Sequence, residues 1–112
     1  QPSKRALATR LGATATAPTP AEALALWPEG ADLVIECAGV SATVEAAPGL
    51  TRAGGRIVIL GVLAAGQTVA IQPFDLLFRE IDLRFAFINL KMLRIIRRSA
   101  NGVAHSPHNT PA

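Results

Sequence analysis

The sequence predicts an α/β fold built on a parallel sheet, with helices between consecutive strands. Two stretches carry this prediction, "ADLVIECAG" at 31–39 and "GGRIVILGV" at 54–62, because each holds an uninterrupted apolar run that ends at glycine. Such runs are typical of strands covered on both faces, as in parallel sheets. A helical segment lies between the two stretches, and this order favours a right-handed strand–helix–strand crossover.

Length and composition indicate one globular domain. The chain has 112 residues, of which half are apolar and 17% are charged, so a buried core is expected and global disorder is not. The sequence shows neither a run of eighteen apolar residues nor a signal-peptide pattern, and no membrane partner is expected. Its single cysteine, Cys37, cannot form an internal disulfide or a cysteine-based zinc site, which favours a reducing, cytoplasmic setting.

Charge is distributed unevenly along the chain. Residues 1–82 contain six Lys or Arg and eight Asp or Glu, whereas residues 83–112 contain five basic residues and no acidic one. The basic character therefore belongs to the end of the chain. A basic patch of this size is weak evidence for nucleic-acid binding, and no nucleic-acid partner is expected.

The first thirty residues predict two helices and one short strand. Residues 3–11 have apolar side chains at helical spacing, with Ser3 as the expected N-cap and Gly12 as the stop. Residues 13–17, "ATATA", alternate small and β-branched side chains and predict a strand. Residues 20–27 predict a second helix, which begins with a proline and has another proline just past its end.

The central elements follow from the two apolar runs. After the strand at 31–39, residues 41–53 predict a helix with Ser41 as N-cap, which Pro48 is expected to kink or shorten. The second strong strand then occupies 54–62, with its apolar run at residues 57–60.

The last third predicts two further strands and two helices. Residues 67–73 resemble a strand, 73–81 a short helix, and 82–89 an alternating strand near a sheet edge. A basic helix is expected at 90–100 and a disordered tail at 101–112. The following large apolar residues are expected in the core: Trp27, Leu76, Leu77 and all four phenylalanines (Phe74, Phe78, Phe85 and Phe87).

Ligands of open parallel sheets bind beyond the carboxyl ends of the strands. Three strand ends matter here, at 36–39, 60–62 and 86–89. Glycine at positions 39 and 61 allows a ligand to approach the backbone closely. The alternative is that both glycines simply terminate strands, which is common, and the residue pattern leaves the two interpretations equally weighted.

Four segments of the chain together resemble the medium-chain dehydrogenase/reductase family, of the zinc-dependent alcohol dehydrogenase type. They are "SKRALATRLGAT", "GADLVIECAGVSATVEAA", "TRAGGRIVILGV" and "PFDLLFREIDLRFAFIN", in this order between Ser3 and Asn89. The resemblance implies that residues 1–89 are a partial Rossmann-like NAD(P)-binding domain, which retains the later strands of a doubly wound sheet with flanking helices.

The resemblance also implies which residues contact NAD or NADP. A basic residue near the start would lie near the adenosine ribose or its phosphate, and the first two strand ends would line the ribose and nicotinamide. The backbone of the third strand end would hydrogen-bond the nicotinamide carboxamide. The implied cofactor-binding residues are Lys4, Arg5, Cys37, Ala38, Gly39, Leu60, Gly61, Val62, Ala86, Phe87 and Ile88.

The sequence departs from the family pattern in three respects. It has no G-x-G-x-x-G turn for the pyrophosphate and no set of zinc ligands, and it lacks the acidic residue that binds the ribose 2′-hydroxyl, which the resemblance places just before Gln1. We therefore expect a fragment that forms one wall of the cofactor cleft. No catalytic or metal-binding residue is assigned, and zinc is expected only in a catalytic domain that this sequence lacks. Pairing of copies through the sheet edge is a further expectation from the resemblance.

Two other readings stay open. One is a truncated, non-catalytic remnant that binds nucleotide weakly or packs against a partner. The other is a fragment of an S-adenosylmethionine-dependent methyltransferase, in which similar strands occur, although the stretch at 73–89 argues against it. Cys37 is expected to be inert, and the H-x-x-H of His105 and His108 is not expected to bind a metal tightly.

Overall fold

A computed structural model of the chain describes residues 1–87 together with Arg94, Arg97 and Arg98, which are helical and exposed. Apart from these three arginines, the predicted basic helix at 90–100 lies outside the described residues. The same holds for the predicted tail at 101–112. In the described part, no helix is long and apolar enough to cross a membrane.

Four helices and three strands form the described fold. The helices and strands alternate from the second helix onward, whereas the sequence predicts an additional strand at 67–73. The bounds are α1 Pro2–Arg10, α2 Pro20–Leu26, β1 Ala31–Glu36, α3 Ser41–Leu50, β2 Thr51–Ile59, α4 Pro73–Phe78 and β3 Asp82–Phe85.

The three strands form one parallel sheet in the order β1-β2-β3. Val34 faces Ile57 across the β1–β2 pair, and Ile57 faces Leu83 across the β2–β3 pair. Each crossover carries a helix, α3 between β1 and β2 and α4 between β2 and β3. The predicted α/β class with a parallel sheet and flanking helices is therefore confirmed.

Strand β2 is the centre of the core, as its apolar run predicts. Ile57 and Val58 are fully buried, and alternate residues of the strand serve opposite faces of the sheet. On one face Ile57 and Ile59 pack against Val44 and Ala47 of α3. These two helix residues are three positions apart, which places both on the same face of the helix. The apolar cluster on the opposite face is smaller, because Val58 and Leu60 pack only against half-buried neighbours.

Two predicted strands, at 13–17 and 67–73, are wrong. Neither segment is a strand in the structure. A strand needs a hydrogen-bonded neighbour, and the described sheet offers none to 13–17. The second segment is tied down by side chains instead: Ser41 Oγ donates to the carbonyl of Thr68 at 3.2 Å, and Gln67 Nε2 donates to Ser41 Oγ at 2.7 Å.

Helix boundaries also differ from the prediction. Helix α3 ends at Leu50 instead of residue 53, because Thr51 already pairs with β1. Ser41 is the first residue of α3 and Val40 is its N-cap, so Ser41 is free for the loop contacts described above. Similarly, α1 begins at Pro2, which places Ser3 inside the helix.

Most of the large apolar residues predicted for the core are exposed instead. A sheet of three short strands offers too little apolar surface to cover them, and α4 has no buried residue. Leu76 is half-buried. The exposed residues are Trp27, Phe74, Leu77, Phe78, Phe85 and Phe87.

Arg79, which follows α4, fastens this helix to the start of β2. Its Nη1 donates to the carbonyl of Thr51 at 2.8 Å, and its Nη2 donates to the carbonyl of Pro48 at 3.0 Å. The same guanidinium makes a two-point contact with Asp75, at 2.9 and 2.6 Å. Hydrogen bonding to Arg79 lowers the pKa of Asp75 from its usual value, because the guanidinium favours the charged carboxylate.

Candidate functional site

The carboxyl ends of the three strands form one continuous edge. The N–H groups of Leu60 and Gly61 both donate to the carbonyl of Glu36, at 2.8 and 3.0 Å, which ties the end of β2 to the end of β1. The N–H of Ala86 donates to the carbonyl of Ile59 at 3.0 Å, which ties the end of β3 to β2. The strand ends singled out in the sequence are therefore neighbours in space.

Gly39 and Gly61 touch each other at this edge. Gly39 has φ of 71°, a conformation that favours glycine. A Cβ on Gly61 would lie 2.5 Å from Gly39 Cα and closer still to Gly39 N. A Cβ on Gly39 would lie 2.8 Å from both N and O of Val62. Contact between the two strand ends is therefore a reason for glycine at both positions that requires no ligand.

The side chain of Glu36 lies beneath this glycine contact. Only 5% of the residue is exposed. Its Oε1 accepts a hydrogen bond from the N–H of Gly39 at 2.8 Å and lies 2.8 Å from Thr43 Oγ1 on α3. The Thr43 hydroxyl also lies 2.9 Å from the carbonyl of Val40, and its one proton serves one acceptor at a time. Glu36 thus links β1, the turn at Gly39 and the start of α3.

A groove of about 200 Å³ runs beside the end of β1. Cys37 and Ala38, which directly follow β1, line one end of it, and Thr43 lines it from α3; the rest of the lining comes from β1, α2 and α3. Cys37 and Ala38 are exposed, as is Val62 on the neighbouring strand end. These three residues, all predicted as cofactor contacts, are exposed just beyond the carboxyl ends of β1 and β2.

The third strand end is less enclosed. Ala86 is half-buried and packs against the Val58–Leu60 cluster, whereas Phe87 is 72% exposed. Ile88, the last residue predicted at this strand end, lies outside the described residues.

Lys4 and Arg5 are not brought to the strand ends by any contact in the described residues. Both lie on α1, where Lys4 is exposed and Arg5 is half-buried. No hydrogen bond or ion pair in the described part of the chain joins either side chain to the strand ends, and their predicted role near the adenosine stays a prediction.

A family model described as zinc-binding dehydrogenase matches residues 1–98. The chain belongs to this family. The match includes all three strands and the strand-end residues described above, so the likeness inferred from four sequence segments is confirmed at the level of the family.

Solved structures with a similar fold include three whose names describe dehydrogenases. One is from Sinorhizobium meliloti 1021, described as a zinc-binding dehydrogenase bound to NADP; it is 46% identical, with a TM-score of 0.74 over 91% of this chain and 32% of that one. Alcohol dehydrogenase TADH from Thermus sp. ATN1 is 26% identical, with a TM-score of 0.69 over 91% and 31% of the two chains. Benzyl alcohol dehydrogenase from Acinetobacter calcoaceticus, at 20% identity and a TM-score of 0.70 over 91% and 31%, shows the shared fold.

The chain spans about a third of the length of the structures it matches. No match to a curated protein was found.

The zinc-binding dehydrogenase name does not correspond to a zinc site in the described residues. No group of three His, Cys, Asp or Glu side chains in residues 1–87 is arranged to hold a metal ion. Zinc sites in proteins are built from such side chains, so these residues do not by themselves assemble a zinc-ligand set.

Sequence reasoning missed two residues of this candidate site, Glu36 and Thr43. A signal was present for Glu36, because an acidic residue directly follows the apolar run "LVI" in a strand predicted to be buried. Buried carboxylates need hydrogen-bond partners, which directs attention to nearby hydroxyls and glycine amides. Thr43 itself has no signature in the sequence, since its role depends on the angle at which α3 leaves the strand.

Proposed function

We propose that this chain forms one wall of the NAD(P) cleft of an alcohol dehydrogenase-type oxidoreductase. The observation that carries the proposal is the contact of Gly39 with Gly61 at the carboxyl edge of a parallel sheet. This edge is where open α/β sheets bind ligands. The 46% identity to a protein whose structure contains NADP supports the same assignment.

The residues present suit one part of a nicotinamide dinucleotide. Cys37, Ala38 and Val62 are exposed at adjacent strand ends. Gly39 and Gly61 lie between them and have no side chain that would project toward a ligand. We propose that these residues, with Leu60 and the backbone of Ala86 and Phe87, contact the ribose and nicotinamide. Lys4 and Arg5 stay proposals for the adenosine end, as does Ile88 for the carboxamide. When bound, the cofactor supplies a hydride acceptor or donor.

Alcohol oxidation is proposed only for a protein that contains these residues together with a zinc-ligand set. Its test is the intact mass of the species that an antibody to residues 31–62 detects in source cells. A species several times heavier than 11.7 kDa, with bound zinc and alcohol-dependent reduction of NAD or NADP, would support this activity. Detection of the 112-residue chain alone would contradict it and favour the non-catalytic remnant.

Cofactor binding by the chain itself is tested through Cys37. This thiol is exposed, lies at the proposed cleft, and is the single cysteine of the sequence, so thiol reagents report on one position. We expect the rate at which Cys37 reacts with an aromatic disulfide reagent to fall saturably as NADP⁺ or NAD⁺ is added. Comparing the two cofactors gives the preference between them.

The control is the same reaction with the chain unfolded in urea, where cofactor should have no effect on the rate. Protection by nicotinamide mononucleotide but not by AMP would support the placement of the nicotinamide end beside Cys37. A reaction rate that stays constant up to millimolar cofactor, in chain shown to be folded, would contradict the proposed function.

We also propose that copies pair through the outer edge of β3. This strand ends the described sheet, and Phe85 beside that edge is largely exposed. Unpaired strand edges with apolar neighbours favour association. Light scattering during gel filtration should then give the mass of a dimer, and a monomer mass at micromolar concentration would contradict the pairing. A cytoplasmic location is part of the same proposal, supported by the single cysteine.

A further inference from the structure

Glu36 accepts hydrogen bonds from three backbone N–H groups at the ends of β1 and β2. The amides of Leu60 and Gly61 donate to its carbonyl oxygen, and the amide of Gly39 donates to its carboxylate. Phosphate groups are bound in α/β folds chiefly by free backbone N–H groups. The wall made by the ends of β1 and β2 therefore offers none of these three amides to a phosphate.

The carboxylate of Glu36 is also not in direct contact with a basic side chain in the described residues. None of the ion pairs of residues 1–87 includes Glu36. Its Oε2 is buried and has no hydrogen-bond partner within the described part of the chain. This oxygen faces the strand end of β2, because a Cβ on Gly61 would lie 2.6 Å from it. Low-dielectric surroundings strengthen the field of such a charge.

A negative charge at this wall distinguishes the two redox forms of a nicotinamide cofactor. The oxidised ring carries a positive charge and the reduced ring is neutral, while the rest of the dinucleotide is the same. Attraction to Glu36 acts on the first form alone. Exposed acidic groups would have a smaller effect, because water and salt screen them.

We propose that Glu36 is a specificity-determining residue of this cleft, which favours the oxidised, cationic nicotinamide over the reduced ring and keeps phosphates away from the ends of β1 and β2. The inference rests on the proposed function, since it assumes that the nicotinamide end lies at this wall. A unit charge about 10 Å from the ring, at an effective dielectric constant of ~20–40, changes affinity by roughly 4- to 15-fold.

The test compares the dissociation constants of NADP⁺ and NADPH for three proteins: the full chain, Glu36→Gln and Glu45→Gln. Glutamine keeps the length of the side chain and an oxygen that accepts from Gly39, while it removes the charge. Glu45 is the matched control, because it is exposed on α3 and its substitution removes the same charge from the surface. We expect Glu36→Gln to weaken NADP⁺ relative to NADPH by roughly 4- to 15-fold, and Glu45→Gln to leave that ratio unchanged.

The outcomes separate this inference from the proposed function. If the full chain binds both forms but Glu36→Gln leaves their ratio unchanged, the role of Glu36 is refuted and the proposed cleft stands. Equal shifts in both variants would also refute it, because any surface charge would then suffice. If the full chain binds neither form, the proposed cleft itself fails, and the inference fails with it.

A second measurement covers the case in which Glu36→Gln does not fold. The amide signals of Gly39 and Gly61 in the unmodified chain are followed by NMR during titration with 1-methylnicotinamide, a cation, and with nicotinamide, its neutral counterpart. We expect the cation to shift both signals at lower concentration. Equal response to the two probes, or none, would overturn the proposal.

Discussion

Replacing Gly61 by alanine should separate the ends of β1 and β2. The added Cβ would lie 2.5 Å from Gly39 Cα and 2.6 Å from Glu36 Oε2, and closer still to Gly39 N. Ordinary contact between such atoms needs about 3.5 Å, so the strand ends must move apart by about 1 Å. Two of the three obstructing atoms are backbone, which leaves no side-chain rotation that relieves the overlap.

The cost of this movement follows from what the strand ends share. Overpacking in a filled interior costs typically about 1–3 kcal/mol, and backbone obstruction places Gly61→Ala at about 3 kcal/mol. The hydrogen bonds from Leu60 and Gly61 to the Glu36 carbonyl lie at the same point and lengthen with it. A small domain has only about 5–15 kcal/mol of stability, so a loss of this size is readily measured.

Urea unfolding followed by far-ultraviolet circular dichroism is the assay. Gly49→Ala is the matched control, because Gly49 lies in α3 with open space around the position of a Cβ. Its substitution should leave stability unchanged or raise it by about 0.5–1 kcal/mol, since alanine favours the helix. A Gly61→Ala variant within about 0.5 kcal/mol of the unmodified chain would refute the contact between the strand ends.

Three further substitutions, with Arg84→Ala as a control, test the core and the attachment of α4. Arg79→Ala should lower the free energy of unfolding in urea by about 1–2 kcal/mol, because its hydrogen bonds to two backbone carbonyls are lost. Arg84→Ala removes an exposed ion pair and should lower it by less than about 0.5 kcal/mol. Equal losses would contradict the role of Arg79 in attaching α4. Arg79 lowers the pKa of Asp75 below the usual 3.8. The Asp75–Arg79 pair therefore stabilises the fold fully above pH 3.8, and this stabilisation is lost as the pH falls through the lowered pKa. The difference in urea midpoint between the unmodified chain and Asp75→Asn should therefore shrink below about pH 4, and a difference that grows there would contradict the pairing. Thr51→Val should cost about 1 kcal/mol, because the buried Thr51 hydroxyl donates to the carbonyl of Ala47 at 2.8 Å; calorimetry that shows no decrease in melting temperature would count against this bond.

Which predictions succeeded depends on how local their causes are. The strands predicted at 31–39 and 54–62 from apolar runs that end at glycine occur at 31–36 and 51–59, and the intervening helix follows from its own pattern. The predicted strands at 13–17 and 67–73 have suitable alternation but no hydrogen-bonded neighbour in the described sheet. Alternation describes what a segment is able to form, whereas pairing depends on residues far away in the chain.

The candidate site shows the same division. Glycines at 39 and 61 mark strand ends in the sequence, and a known family resemblance assigns neighbouring residues to a cofactor. Their mutual contact is invisible in the sequence, because it depends on the register between β1 and β2, in which Glu36 lies opposite Ile59. The role of the Glu36 carboxylate depends on the same register.

The sequence by itself determined the α/β class, the central strand and the family of this protein, because apolar periodicity and segment order are properties of the chain alone. The tertiary structure decided which residues the core covers, since Trp27 and Phe78 are apolar but lie outside the core and are exposed. It also decided that Glu36, Gly39 and Gly61 meet at one point. Distances between residues more than twenty positions apart are set by packing and strand register, which no local pattern specifies.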